Sequence, residues 1–145
     1  MSAGTVIANF KYAKSGDLEL GGGVKLVVGP YHQQLPDPTY VQYARFGFGG
    51  VDFHYELYQK EGDKIEVRLD FECGKDCASP AASKLMGDLR KLAEGRGEKV
   101  SMHSILFKTL DCRKKANEAV AEEATKGLQR LYALCEGALA QYRFK

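Results

Sequence analysis

Ionisable side chains alternate with apolar ones along two consecutive stretches of the chain, between residues 51 and 73. The ionisable set consists of Asp52, His54, Glu56, Arg68, Asp70 and Glu72. Carboxylates and an imidazole gathered on one surface can hold a divalent cation, and a bound cation can activate water. Whether these side chains share a surface depends on the elements that carry them.

Both stretches have the period-2 pattern of half-buried β-strands, and Glu61-Gly62-Asp63 between them has the residue types of a hairpin loop. A three-residue loop that keeps both apolar sets on one face fixes the register. The predicted pairs are Leu57 with Val67, Tyr55 with Leu69, Glu56 with Arg68, His54 with Asp70, and Asp52 with Glu72. The apolar face is the predicted core, consisting of Phe53, Tyr55, Leu57, Ile65, Val67, Leu69 and Phe71.

The predicted pairing of Asp52 with Glu72 sets like charges side by side, which destabilises a sheet unless something offsets it. A divalent cation held by Asp52, Asp70 and Glu72, with His54 as a further ligand, would offset it. Such a site could activate water against a phosphodiester, so Asp52, His54, Asp70 and Glu72 are the candidate catalytic residues. The other interpretation is a solvent-facing sheet surface with cross-strand ion pairs and no metal.

A second candidate surface lies in segment 29–40, which is predicted to be a loop because its three prolines do not suit a central strand. Tyr31 and His32 in this segment could present an aromatic and polar surface to a partner. Together with the hairpin, the candidate binding residues are Tyr31, His32, Glu56, Arg68, Asp70 and Glu72.

Other residue types give no clear cofactor site, and none is predicted. Cys73 and Cys77 flank a tight turn, but a structural zinc site needs four ligands. Cys112 and His103 would complete one only if the fold brought them close. No phosphate-binding loop, dinucleotide-binding glycine motif or serine-nucleophile motif is present.

The elements that must position the candidate residues indicate an α+β fold. We predict an antiparallel β-meander of about five strands with two amphipathic helices packed on one face. Besides the hairpin, strands are predicted over 5–12, 24–28, 41–48 and 100–108. The chain is expected to form a single domain over 1–145, β-rich over 1–73 and helical over 79–145.

Two helices are predicted in the second part of the chain. Ser79-Pro80 has the residue types of a helix start. Its apolar stripe is Ala82, Leu85, Met86, Leu89, Leu92 and Ala93. The last helix is predicted over 112–142 and would be about 46 Å long. Because that length exceeds what one small domain is expected to cover, the helix should break near Gly127 or pack partly on another chain.

Composition and charge complete the expectations about function. No apolar run is long enough to span a membrane and no signal-peptide pattern is present, so we predict a cytoplasmic protein. Residues 1–78 carry 8 Lys/Arg and 11 Asp/Glu, whereas residues 79–145 carry 13 Lys/Arg and 8 Asp/Glu. This polarised charge could steer a charged partner, or it could reflect only that lysine and arginine are good helix formers.

The predicted function is non-catalytic protein binding, of an inhibitor or immunity type, through the charge-polarised surface. The partner is expected to be another protein, with a homodimer through the C-terminal helix as a further option. A metal-dependent phosphodiesterase or nuclease is the alternative. Nucleic-acid binding through the basic residues of the helical part is a second alternative, disfavoured because acidic residues interleave with them.

Overall fold

The alternating pattern between residues 51 and 73 folds as the predicted hairpin. The computed structural model describes residues 18–19, 25–26, 31–32, 40–60, 63–73, 78–101, 104–114 and 116–143. Strands β5 (Val51–Lys60) and β6 (Lys64–Cys73) pair antiparallel, and the predicted register is confirmed from Val51↔Cys73 to Lys60↔Lys64. Asp63 adopts a left-handed φ of 56° before β6 begins, a conformation that aspartate tolerates in tight turns.

The hairpin is the centre of an antiparallel six-stranded sheet with the order β3-β4-β5-β6-β8-β7. The other members are β3 (Tyr31–His32), β4 (Tyr40–Phe48), β7 (Lys99–Val100) and β8 (Ser104–Asp111). A separate two-stranded sheet pairs β1 (Leu18–Glu19) with β2 (Lys25–Leu26). The predicted α+β class and antiparallel sheet are confirmed.

Two predictions about individual strands were wrong. Segment 29–40 was predicted to be a loop, but Tyr31 and His32 pair with β4 at the edge of the sheet, where nearby prolines are tolerated. The single strand predicted over 100–108 is two strands, and β7 lies outside β8. The Ser104 backbone N–H donates to Ser101 Oγ at 3.1 Å, and such a side-chain bond favours a turn over continued pairing.

The first helix, α1 (Pro80–Glu94), begins as predicted. Ser79 is the N-cap, and its Oγ accepts a hydrogen bond from the Ala82 N–H at 3.1 Å. The Ser79 N–H donates to the Gly49 carbonyl at 2.8 Å, so the helix start is tied to the turn between β4 and β5. The predicted stripe is buried except for Leu92, which is 39% exposed.

The second helix, α2 (Asn117–Arg143), is shorter at its start than predicted and does not break near Gly127. Asp111 accepts a hydrogen bond from the Arg113 N–H at 2.9 Å, which forms a turn before the helix. Its 27 residues span about 40 Å. Its apolar stripe is buried within this one chain, so the length of the helix does not call for a second copy. The buried stripe is Val120, Ala124, Leu128, Leu131, Cys135 and Leu139.

Both helices pack on one face of the sheet, here called the helix face. The hairpin residues predicted as core are all fully buried on this face. At Gly127, α2 comes so close to the sheet that an added Cβ would lie 3.0 Å from Phe107 Cδ1 and from Val67 Cγ1. Tyr55 donates from this face to Glu136 on α2 at 2.7 Å. In the part of the chain that the structure describes, neither helix has the length and apolarity needed to cross a bilayer.

Three sequence predictions fall on residues that the structure does not describe. They are the strand over 5–12 and the two possible zinc ligands Cys77 and His103. Cys112 and Cys135 are described, and both are buried free thiols.

Candidate functional site

The face of the sheet opposite the helices carries the predicted site residues and is called the charged face. Side chains alternate between the two faces along a strand, so the register that buries Tyr55 and Leu69 places His54 and Asp70 together here. The charged face consists of Asp52, His54, Glu56, Arg68, Asp70 and Glu72. His54, Glu56 and Asp70 are buried, so a wholly solvent-facing surface is not what forms.

His54 is at the centre of the charged face, and its side chain is fully buried. Its Nδ1 lies 3.4 Å from Asp52 Oδ1. Its Nε2 faces three carboxylates, at 3.4 Å from Asp70 Oδ2, 3.8 Å from Glu72 Oε1 and 3.9 Å from Glu56 Oε2. Among the described residues, none forms a hydrogen bond of acceptable geometry with Nε2. A buried polar nitrogen in this situation is an exception that needs a physical explanation.

Arg68 holds two of these carboxylates in place. Its Nε donates to Glu56 Oε2 at 2.8 Å and lies 3.0 Å from Asp70 Oδ1. The guanidinium packs 4.0 Å from the centre of the Tyr58 ring, a cation–π contact. His54, Glu56, Arg68 and Asp70 are called the buried charge cluster below. Within this cluster, each charged side chain contacts at least one other member, and these contacts hold it in place.

The cluster holds two carboxylates, one guanidinium and one imidazole within contact of one another, so each pKa depends on its neighbours. Burial and, after it, the nearby Asp70 carboxylate together raise the pKa of Glu56 to about 8, although Arg68 and His54 oppose the rise. Burial alone would lower the pKa of His54, but Asp70, Glu56 and Glu72 raise it above its ordinary value. Burial would raise the pKa of Asp70, but contacts with His54, Glu56 and Arg68 lower it. The fold therefore favours a protonated Glu56 beside an ionised Asp70.

Three side chains of the cluster are arranged so that they could share one metal ion. One ligand atom each from His54, Glu56 and Asp70 lies within 4.8 Å of the other two. Ligands about 2.0–2.1 Å from a tetrahedral Zn²⁺ stand about 3.3 Å apart, close to the 3.4 Å that separates His54 Nε2 from Asp70 Oδ2. Arg68 contacts the other oxygen of Asp70, so Oδ2 is left for an ion. Such a bond to a ligating carboxylate is a common means of orienting it.

A cleft of about 610 Å³ adjoins this site. Its lining includes Asp52 and Glu72, which both contact His54, and the turn between β4 and β5. Arg45 also lines the cleft and forms an ion pair with Asp52. The Glu72 side chain is 61% exposed, so the cleft gives solvent access to the edge of the cluster.

The structure brings most of the predicted site residues together. Asp52, His54, Asp70 and Glu72 form one contact network, and Glu56 and Arg68 join it directly. Tyr31 is opposite Gln42 in the register, and Gln42 is opposite Glu56. His32 is opposite Val41, one position away from this row.

Sequence reasoning missed Gln42 and Arg45, which both belong to the site. Gln42 is buried, and its Nε2 donates to Glu56 Oε1 at 3.3 Å. Alternation along β4 could have placed Gln42 on the charged face. The shift in register between Tyr43 and Phe46 prevents the same extrapolation to Arg45.

A function for this protein must be inferred from the geometry of the site. No protein-family model matches this chain, and no curated protein or solved structure is significantly similar to it.

Proposed function

We propose that this protein binds a divalent transition-metal ion through His54, Glu56 and Asp70. The observation that carries the proposal is the state of His54 Nε2. This atom is buried, lacks a hydrogen bond of acceptable geometry, and faces three carboxylate oxygens at 3.4–3.9 Å. A metal ion would give the nitrogen a partner and, once Glu56 has lost its proton, would offset the charge of the two carboxylates.

The donor types favour Zn²⁺, Mn²⁺ or Fe²⁺ over Ca²⁺. Imidazole nitrogen suits zinc and iron, and carboxylate oxygen suits manganese, whereas calcium takes six to eight oxygen ligands. Two carboxylates and one imidazole give three protein ligands, the number found in typical catalytic zinc sites. Glu72 Oε1, at 3.8 Å from Nε2, is placed for a fourth ligand or for contact with a bound water.

The test is calorimetric titration of the purified protein with Zn²⁺ and Mn²⁺. We expect one ion per chain, and a loss of affinity of more than about 100-fold in His54→Gln and Asp70→Asn, beyond what changes around the ligands usually cost. Glu66→Gln is the matched control, because Glu66 contacts Arg68 at 3.4 Å without taking part in the ligand set. Equal affinity in all four proteins, or no binding to the folded wild type, would reject the proposal.

Protonation gives this titration a second readout. Because the pKa of Glu56 is about 8, this carboxyl is mostly protonated at pH 7 and must lose its proton to bind an ion. Binding should therefore release protons, and the affinity should rise with pH up to about 8. Titrations in buffers of different ionisation enthalpy count the released protons, and Glu56→Gln should lower that count.

The adjoining cleft favours a second candidate function, hydrolysis of a phosphodiester. The ion would activate a water molecule and offset charge on the phosphoryl oxygens. Glu72 borders the cleft and could accept the proton of the attacking water. As water oxygen bonds to phosphorus, the bond to the leaving oxygen breaks, and the leaving alkoxide takes up a proton.

Turnover of bis(p-nitrophenyl) phosphate in the presence of Mn²⁺ tests this candidate. Glu72→Gln should reduce the rate by about 100-fold or more, as expected for loss of a general base. Glu66→Gln again serves as the control and should retain the rate. If the wild type binds Mn²⁺ but does not exceed the rate of free Mn²⁺, the hydrolytic candidate fails and the metal-binding proposal stands.

A further inference from the structure

Among the residues that the structure describes, the outer edge of β8 is paired over only a short part of its length. On its inner side, β8 pairs with β6 from Ser104 to Asp111. On its outer side, among the described residues, only Ile105 and Leu106 pair with another strand, the two-residue β7. After the turn at Gly97, whose φ is +78°, β7 reaches the sheet only at Lys99. Among the described residues, no strand pairs with the outer side of β8 from residue 107 onward, so its backbone groups there have no described strand partner.

A cleft of about 280 Å³ runs beside this outer edge. It is lined by residues 97–99 on one side and 106–109 on the other. Leu106 and Phe107 are half-buried in its wall, and the Arg130 guanidinium lies 5.5 Å from the centre of the Phe107 ring. The cleft therefore offers an apolar wall beside a row of backbone hydrogen-bonding groups, which is the combination used when an extended peptide joins a sheet.

The charges around this cleft select the type of peptide. Lys99 and Lys108 are exposed at its margin, and Glu98 is the acidic residue in the lining. Lys108 Nζ lies 3.8 Å from Glu123 Oε1, a long ion pair between an exposed lysine and a half-buried glutamate. The excess of lysine agrees with the net positive charge of residues 79–145. An acidic segment would complement this margin.

We infer that the outer edge of β8 binds an extended acidic segment of a partner protein as an added β-strand. A second copy of this chain is a poorer occupant, because its own β8 carries one lysine and one aspartate and therefore offers no net negative charge to this margin. This inference is independent of the proposed metal site. It gives the non-catalytic protein binding expected from the sequence a defined location.

A synthetic probe tests this surface directly. The probe is a fluorescein-labelled octapeptide that repeats Glu-Glu-Val-Val, with a Lys-Lys-Val-Val octapeptide as its counterpart. This repeat places acids on both faces of a strand, because Lys99 and Lys108 lie on opposite faces of the sheet. We expect the acidic peptide to bind with a dissociation constant below about 1 mM at low salt, to weaken as salt is added, and to shift the amide resonances of residues 106–110. The lysine peptide should not bind.

Two sets of variants separate strand addition from general charge attraction. Lys99→Glu/Lys108→Glu should weaken binding of the acidic peptide by at least tenfold, whereas Lys84→Glu on α1 should not. N-methylation at one alternating set of peptide residues should abolish binding, and methylation of the other set should leave it intact, since only one edge of a strand is paired. Absence of binding, equal effects of the two methylations, or equal affinity in Lys99→Glu/Lys108→Glu would overturn the inference.

Discussion

The two faces of the central sheet bury their side chains by different physical means. On the helix face, apolar side chains of β5 and β6 pack against α1 and α2, and burial of apolar area is the stabilising contribution. On the charged face, four charged groups are buried or nearly so, and each is stabilised by its neighbours. On the helix face of these strands, a substitution should lower stability in proportion to the apolar volume that it removes. On the charged face, removal of one charged group leaves another buried without its partner.

This difference matters for function because the charged face holds closely spaced titratable groups that a cation could bridge. On the helix face, Tyr55 donates a hydrogen bond to Glu136, and both of these side chains are buried. In the charged cluster, by contrast, Nε2 of His54 faces three carboxylate oxygens without a hydrogen bond of acceptable geometry. The cost of burying such groups without a partner is several kcal/mol at most sites.

The largest effects should come from adjacent residues on opposite faces of β6. Leu69→Ala on the helix face should lower the free energy of unfolding by about 2–5 kcal/mol, through lost burial and the cavity left behind. Arg68→Met on the charged face should cost about 3–5 kcal/mol at neutral pH, because Glu56 and Asp70 lose their cation. Urea denaturation measures both. The exposed Lys64→Met on the same strand is the control and should change the free energy by less than about 0.5 kcal/mol.

The dependence of the free energy of unfolding on pH should distinguish Leu69→Ala from Arg68→Met. The lowered pKa of Asp70 means that its ionised form stabilises the fold above its unfolded pKa and that this contribution is lost in acid. The raised pKa of Glu56 means that the fold loses stability as pH rises towards about 8, and removal of Arg68 should worsen that loss. The deficit of Arg68→Met should therefore shrink from pH 8 to pH 4. A deficit that is as flat with pH as that of Leu69→Ala would show that the two faces are energetically alike.

Smaller changes in stability, of opposite sign at two glycines of α2, should show how closely the helix face is packed. Gly127→Ala should destabilise the protein by about 1–3 kcal/mol, because the added methyl would overlap Phe107 and Val67. Gly137→Ala on the same helix should stabilise it by up to about 1 kcal/mol, since nothing lies within 4 Å of the added methyl and alanine is the better helix former. Thermal unfolding of both variants measures the difference. Stabilisation by both substitutions would mean that α2 can move away from the sheet at little cost.

The helix face and the pairing of the hairpin were predictable from the sequence because both follow from local periodicity. Alternation fixed which residues of β5 and β6 are buried together, and the short loop set which residues are opposite each other. The contacts of Asp52, His54, Asp70 and Glu72 followed from the same register.

The remainder depends on packing that local periodicity does not specify. Burial of His54, Glu56 and Asp70 could not be read from their types, because charged residues on a strand usually indicate a wet face. The unbroken course of α2 past Gly127 was missed because glycine suggests a helix end, whereas here it permits close approach to Val67. The two-residue strands β3 and β7 are too short to show any alternation.

The tie between Ser79 and Gly49 has a consequence for the larger cleft. Gly49 has a φ of +57°, and an added Cβ there would lie 2.2 Å from Ser79 Oγ, the atom that caps α1. The turn that forms one wall of the cleft thus also binds the N-cap residue of α1. A change in the shape of this wall must therefore move the start of α1 or remove its cap. Because α1 packs in the hydrophobic core, the shape of the cleft depends on the packing of that core.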